Sequence, residues 1–144
     1  MKKILVDLNI ILDMLNKRAD HEAAVIIFDL CVKKSVKGFI CSHELTTLAY
    51  FLEKQKYSNA KRKKVITSLL TNLTVLAVDE KILRAALNSE IQDFEDAVID
   101  ELAFENEVDC IVTRDIKDFR KSKNSVYTAV EAIDFIQTNS TASP

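Results

Sequence analysis

The chain has 144 residues, of which 48% are hydrophobic and 29% charged, with one glycine, one proline and a formal net charge of −2. That length leaves room for one core and excludes a second domain of ordinary size, and the composition excludes a disordered chain. The near-neutral sum excludes a uniformly basic nucleic-acid binder and leaves only local charge to consider.

Residues Lys3 to Val6 form a short β-favouring run ended by Asp7, and Asn9 to Leu15 then place apolar side chains at helical spacing. From His21 to Lys34 the residues Ala24, Val25, Ile27, Phe28 and Cys31 recur at three- and four-residue steps, predicting a helix, and Gly38 then begins the turn into a second strand, Phe39 to Cys41. Ser42 suits an N-cap for a helix carrying Leu45, Leu48, Ala49 and Leu52 on one face, with Glu44 in its first turn. A helix over Ser58 to Leu70, capped by Ser58, precedes a third strand at Thr74 to Val78, which ends at Asp79. Helices at Glu80 to Ser89 and Asp93 to Asn106 lead to a buried strand at Cys110 to Thr113. A short strand at Val126 to Thr128 and a closing helix at Val130 to Gln137 complete a domain over residues 1–137, and 138–144 is expected to be a frayed polar tail. Short apolar strands alternating with helices predict a parallel sheet of four to five strands covered by helices on both faces.

Ligand sites in such sheets lie beyond the carboxyl ends of the strands. Asp7 and Asp79 end strands there, Asp115 follows Thr113 by two residues, Glu44 lies three residues past the second strand, and Asp96 is in the first turn of the helix that leads into the fourth. Carboxylates gathered at one edge repel one another and lose solvation, so a cation is needed to offset them. All-oxygen ligands without a His or Cys set suit Mg²⁺ or Mn²⁺, and with them phosphodiester hydrolysis. Each acid also has a structural reading. Asp7 and Asp79 could cap the helices they precede, and Glu44, Asp93, Glu95 and Asp96 sit in first turns where the helix dipole favours negative charge. Asp79 is assigned to capping and Asp13 to the helix surface. Thr113 either stabilises a metal-bound water or simply ends its strand, and His21 and His43 are read as surface or capping residues.

Two basic stretches, Lys54 to Lys64 and Arg114 to Lys123, contrast with residues 90–109, which contain no Lys or Arg. Either stretch taken alone is equally well read as a solvated helix face. Three widely spaced cysteines, Cys31, Cys41 and Cys110, suggest buried reduced thiols, and no stretch approaches the ~18 apolar residues of a membrane helix. The expectation is a soluble, cytoplasmic protein.

Three segments together resemble the PIN-domain family, in particular VapC-type toxin ribonucleases: Leu5-Val6-Asp7-Leu8-Asn9-Ile10-Ile11-Leu12-Asp13, Ser42-His43-Glu44-Leu45, and Asp93-Phe94-Glu95-Asp96-Ala97 with Ile111-Val112-Thr113-Arg114-Asp115-Ile116-Lys117-Asp118-Phe119. The resemblance implies a three-layer α/β/α sandwich, Mg²⁺- or Mn²⁺-dependent endoribonuclease activity, a homodimer, and an inhibiting antitoxin. It places the first three acids at Asp7, Glu44 and Asp96 and the fourth at Asp115, with Asp118 as the substitute, and it gives Asn9 and Thr113 supporting polar positions. The basic stretches then become phosphate contacts that position RNA. A catalytically silent RNA- or protein-binding module is the alternative. A phosphatase of the haloacid dehalogenase type is disfavoured because Asn9 stands where that family expects an Asp.

Overall fold

The computed structural model describes residues 1–18 and 20–142. In chain order its elements are β1 (Lys3–Val6), α1 (Leu8–Asn16), α2 (His21–Val32), β2 (Lys37–Cys41), α3 (Ser42–Lys54), α4 (Asn59–Asn72), β3 (Thr74–Leu76), α5 (Glu80–Leu87), α6 (Phe94–Glu105), β4 (Cys110–Val112), a 3-10 turn (Ile116–Phe119), β5 (Val126–Tyr127) and α7 (Ala129–Ala142). The strands pair in parallel in the order β3-β2-β1-β4-β5, so β1 is central. The boundary drawn at Gln137 falls inside α7.

Ile4-Leu5-Val6 of β1, Phe39-Ile40-Cys41 of β2 and Cys110-Ile111-Val112 of β4 are continuous apolar runs because both faces of the sheet are covered there. Ile4, Val6, Ile40, Cys110 and Val112 enter one core with α1, α2, α3, α4 and α7. Leu5, Phe39, Cys41, Leu76 and Ile111 point the other way, into a core closed by α5, α6 and Phe119. The period-two alternation of a strand therefore divides one run of hydrophobic residues between two helical layers, giving the α/β/α sandwich.

Gly38 departs from its expected role. It lies within β2, paired with Ile4, and has no positive φ, the preceding turn being made by Lys34 at φ 59°. A Cβ on Gly38 would stand 2.5 Å from Cys31 Sγ and 2.7 Å from Leu73 Cδ2, so the glycine is there because α2 and Leu73 approach the strand closely.

Candidate active site

The register of the sheet aligns strand ends. Val6 pairs with Val112, Leu5 with Phe39, and Cys41 with Leu76, so the residues that follow β1, β2 and β4 emerge at one edge. Asp7 emerges from β1, Glu44 sits one turn into α3, and Thr113 emerges from β4.

Asp7 occupies the N-cap position of α1 with extended backbone, φ −72° and ψ 149°, yet its side chain makes no cap hydrogen bond. Glu44 does that work from α3: the Leu8 N–H donates to Glu44 Oε2 at 2.8 Å. Asp7 instead accepts a hydrogen bond from the Thr113 hydroxyl at 2.7 Å. Glu44 is only 1% exposed, and as a carboxylate its Oε1 has no donor. The charge that acts on it most strongly is that of Asp7, and two buried carboxyls so coupled call for a shared proton or a cation. Burial above all, then the charge of Asp7 and the hydrogen bond to it, pushes the Glu44 carboxyl well above the usual range, against the Leu8 N–H, and Glu95 adds to the rise.

Asp96 joins this pair from the first turn of α6. Burial first, then the charges of Asp93, Asp7, Asp118 and Glu95, push its carboxyl up to about 7. Asp93 itself caps α6, accepting the Asp96 N–H at 2.9 Å, and Asp79 caps α5 in the same way through Ile82, as the sequence reading expects. These two are therefore engaged locally, whereas Asp7 and Asp96 are not.

The two candidates for the fourth acid are held differently. Asn9 Nδ2 donates to Asp115 Oδ2 at 3.1 Å and lies 3.2 Å from Thr113 Oγ1, while Asn9 Oδ1 accepts the Arg114 N–H. Thr113 Oγ1 also accepts the Asp115 N–H, so Asp7, Thr113, Asn9 and Asp115 form one continuous network. Asp118, on the 3-10 turn, acts on Asp96 through its charge. A cleft of about 810 Å³ opens beside it, lined by Asp93 and Asp118 and, on the basic side, by Lys117, Arg120 and Lys121.

Among the described residues no three His, Cys, Asp or Glu side chains form a ready-made metal cage. What exists is a buried pair, Asp7 and Glu44, each carboxyl felt by the other, with Asp96 within electrostatic reach. The oxygen-only donors and the undonated Glu44 Oε1 fit a hard divalent ion that keeps part of its water shell.

Three assignments need correction. Asp13 is not a surface residue: it is 1% exposed, with Arg114 Nη1 at 2.6 Å and Arg18 Nε at 3.1 Å from its Oδ1. It ties α1 to the loop that carries Asp115, and the i, i+4 spacing from Asn9 is the signal that could have found it. Ser42 does not cap α3, whose N-cap is Cys41; its hydroxyl instead accepts the Val78 N–H at 3.3 Å. His43 is no capping residue, for its two ring nitrogens are buried without hydrogen-bond partners, Nε2 standing 3.7 Å from Glu95 Oε1. Unforeseen altogether is buried Asp100, which holds the loop before β5 through Ser122, the Lys123 N–H and Asn124.

The family profile of the PIN domain matches residues 3–117. Among solved structures, the chain is similar to FitAB bound to a DNA fragment, at 16% identity and TM-score 0.69 over 88% of this chain and 94% of that one. It is similar to a toxin-antitoxin complex from Klebsiella pneumoniae, at 18% identity and TM-score 0.66 over 88% and 97%. It is also similar to Mycobacterium tuberculosis VapC20, described as a Sarcin-Ricin loop cleaving toxin, at 16% identity and TM-score 0.57 over 75% and 86%. At these identities the likeness establishes the fold. No curated protein matches by sequence.

Proposed function

The chain belongs to the PIN-domain family, and from that premise we propose that it is a Mg²⁺- or Mn²⁺-dependent endoribonuclease, the toxin of a toxin–antitoxin pair. The observation that carries this reading is the buried Asp7–Glu44 pair, in which an acid relieved of helix capping adjoins a carboxylate oxygen without a donor. Asp7, Glu44 and Asp96 would hold the ion, together with Asp115 or Asp118. An ion bound there supplies positive charge to the phosphoryl oxygens and brings water into a nucleophilic state near neutral pH.

The chain's own groups do the positioning. Thr113 fixes the Asp7 carboxylate by donating to Oδ2, and Asn9 fixes Asp115, so these acids are oriented before substrate arrives. Asp96, held near pKa 7, is ready to exchange its proton for a cation at neutral pH. RNA as substrate is supported by the likeness to VapC20, and an antitoxin partner by the likeness to toxin–antitoxin complexes. The family resemblance supports a homodimer. Three buried free thiols and, among the described residues, no helix long and apolar enough to cross a membrane support a cytoplasmic setting.

The test is cleavage of a structured RNA in Mn²⁺, in Mg²⁺ and in EDTA by the wild type and by Asp7→Asn and Asp96→Asn. Cleavage confined to the metal-containing reactions and lost in both variants, with circular dichroism unchanged, is expected. Cleavage that persists in EDTA or in both variants would overturn the assignment.

A further inference from the structure

The α3–α4 hairpin carries a charge that the acid edge does not use. Between Leu45 and Val78 the sequence has six basic residues, Lys54, Lys56, Lys61, Arg62, Lys63 and Lys64, against one acid, Glu53. Glu53 is exposed, and among the described residues none of the six basic side chains enters an ion pair. Lys61 to Lys64 fall at the start of α4, which has no acid in its first turn, so the positive end of the helix dipole adds to their charge. Among the described residues no carboxylate within the fold offsets that charge. A polyanion would.

The same hairpin exposes aromatic faces. Tyr50 is 55% and Phe51 38% exposed, with ring centroids 5.9 Å apart. Lys54 Nζ lies 5.4 Å from the Tyr50 ring and Lys61 Nζ 5.1 Å from that of Tyr57. Alternating cations and rings suit single-stranded nucleic acid, whose phosphates meet the lysines while its bases stack on the rings. An acidic peptide would use the charge and leave the rings unmatched.

We infer that the α3–α4 hairpin is an RNA-docking surface separate from the acid edge, holding the strand by backbone phosphates and by a base stacked on Tyr50 or Phe51. This rests on the ribonuclease reading only for the identity of the strand. One helix joins the two surfaces: Glu44 to Lys54 spans ten residues of α3, about 15 Å at the α-helical rise. At about 3.4 Å per phosphate along a stacked strand, four or five nucleotides separate the scissile bond from the hairpin. Substrates shorter than that would be cut without its help.

The experiment measures anisotropy of a fluorescein-labelled 15-nucleotide single-stranded RNA in EDTA, over a range of KCl, with the wild type, a Lys61→Gln/Lys63→Gln/Lys64→Gln variant and Tyr50→Ala. At about 0.7 in salt slope per phosphate contact, the triple variant should lose about 2 from the slope and on the order of 100-fold in affinity at 0.1 M KCl. Tyr50→Ala should lose about fivefold or more with the slope unchanged. In Mn²⁺, the triple variant should show a raised KM on the 15-mer, the increase shrinking as the substrate is shortened toward three nucleotides. A wild type that does not bind the RNA, or a triple variant that binds it with wild-type affinity and slope, would overturn the inference. So would loss of self-association in sedimentation with RNA binding intact, which would assign the hairpin to a second copy of the chain. Binding that responds as expected in a protein that cuts no RNA would uphold the hairpin and defeat the nuclease reading instead.

Discussion

Raising the pH of the metal-free protein from 5 to 7.5 is expected to lower its stability, and Asp96 provides the magnitude. Its carboxyl is held at about 7 in the fold against an ordinary 3.8, by burial first and then by Asp93, Asp7, Asp118 and Glu95. Between those two values the native state binds more protons than the unfolded chain, so the free energy of unfolding falls as pH rises through the window and levels off above about 7. About two of the three units lie between pH 5 and 7. At 1.36 kcal/mol per unit this is about 2.7 kcal/mol, and water reaching the half-buried group reduces it to about 2 kcal/mol. Glu44 and Asp13, both raised chiefly by burial, act in the same direction. His43, lowered chiefly by burial, acts in the opposite one, its deficit shrinking as pH rises toward 6.5. For a chain of this length the net fall in Tm in EDTA should be about 4–8 °C, read by thermal unfolding under circular dichroism. Mn²⁺ at a hundred times its Kd should restore about 2.7 kcal/mol at pH 7.5. Asp96→Asn should show a flatter pH profile and a smaller gain from Mn²⁺. A wild-type Tm in EDTA that holds level or climbs over this range would refute the crowding argument, as would an Asp96→Asn profile identical to the wild type.

Two further substitutions probe how the edge is built. Asp13→Ala removes the shared partner of Arg114 and Arg18; because both arginines are more than a third exposed and can turn to water, the loss in urea unfolding should be about 2 kcal/mol rather than that of a fully buried pair. Arg18→Ala should cost under about 1 kcal/mol, since Arg114 keeps Asp13 paired. Gly38→Ala should cost about 1–3 kcal/mol by overpacking against Cys31 and Leu73, and Cys31→Ala in the same chain should recover part of that, measured as the shift in the urea midpoint.

The sequence makes the layered sheet readable because a strand buried on both faces needs no alternation: Ile4-Leu5-Val6 and Cys110-Ile111-Val112 are continuous apolar runs that feed two cores. From a parallel sheet, the edge where the acids stand follows directly. The partnerships at that edge do not follow, because the partners are remote in sequence. Asp13 reads as surface until the loop after β4 delivers Arg114 to it, 101 residues away. Strand order, the loop held by Asp100 and the packing of Gly38 against Leu73 are illegible for the same reason.

Capping shows most clearly where local reading ends and what the fold adds. Asp7, Asp79 and Asp93 are indistinguishable in sequence, each an acid directly before a helix. Asp79 and Asp93 accept the N–H three residues on, as their position dictates. Asp7 does not: the Ile10 N–H goes to its backbone carbonyl at 3.0 Å, Glu44 accepts the Leu8 N–H from 36 residues away, and the Asp7 carboxylate is held by Thr113 instead. A carboxylate released from its local duty and set beside another in a dry place is costly unless something positive joins it. The same comparison therefore separates the acid that can serve a ligand from the two that serve their own helices, and it does so without reference to any relative.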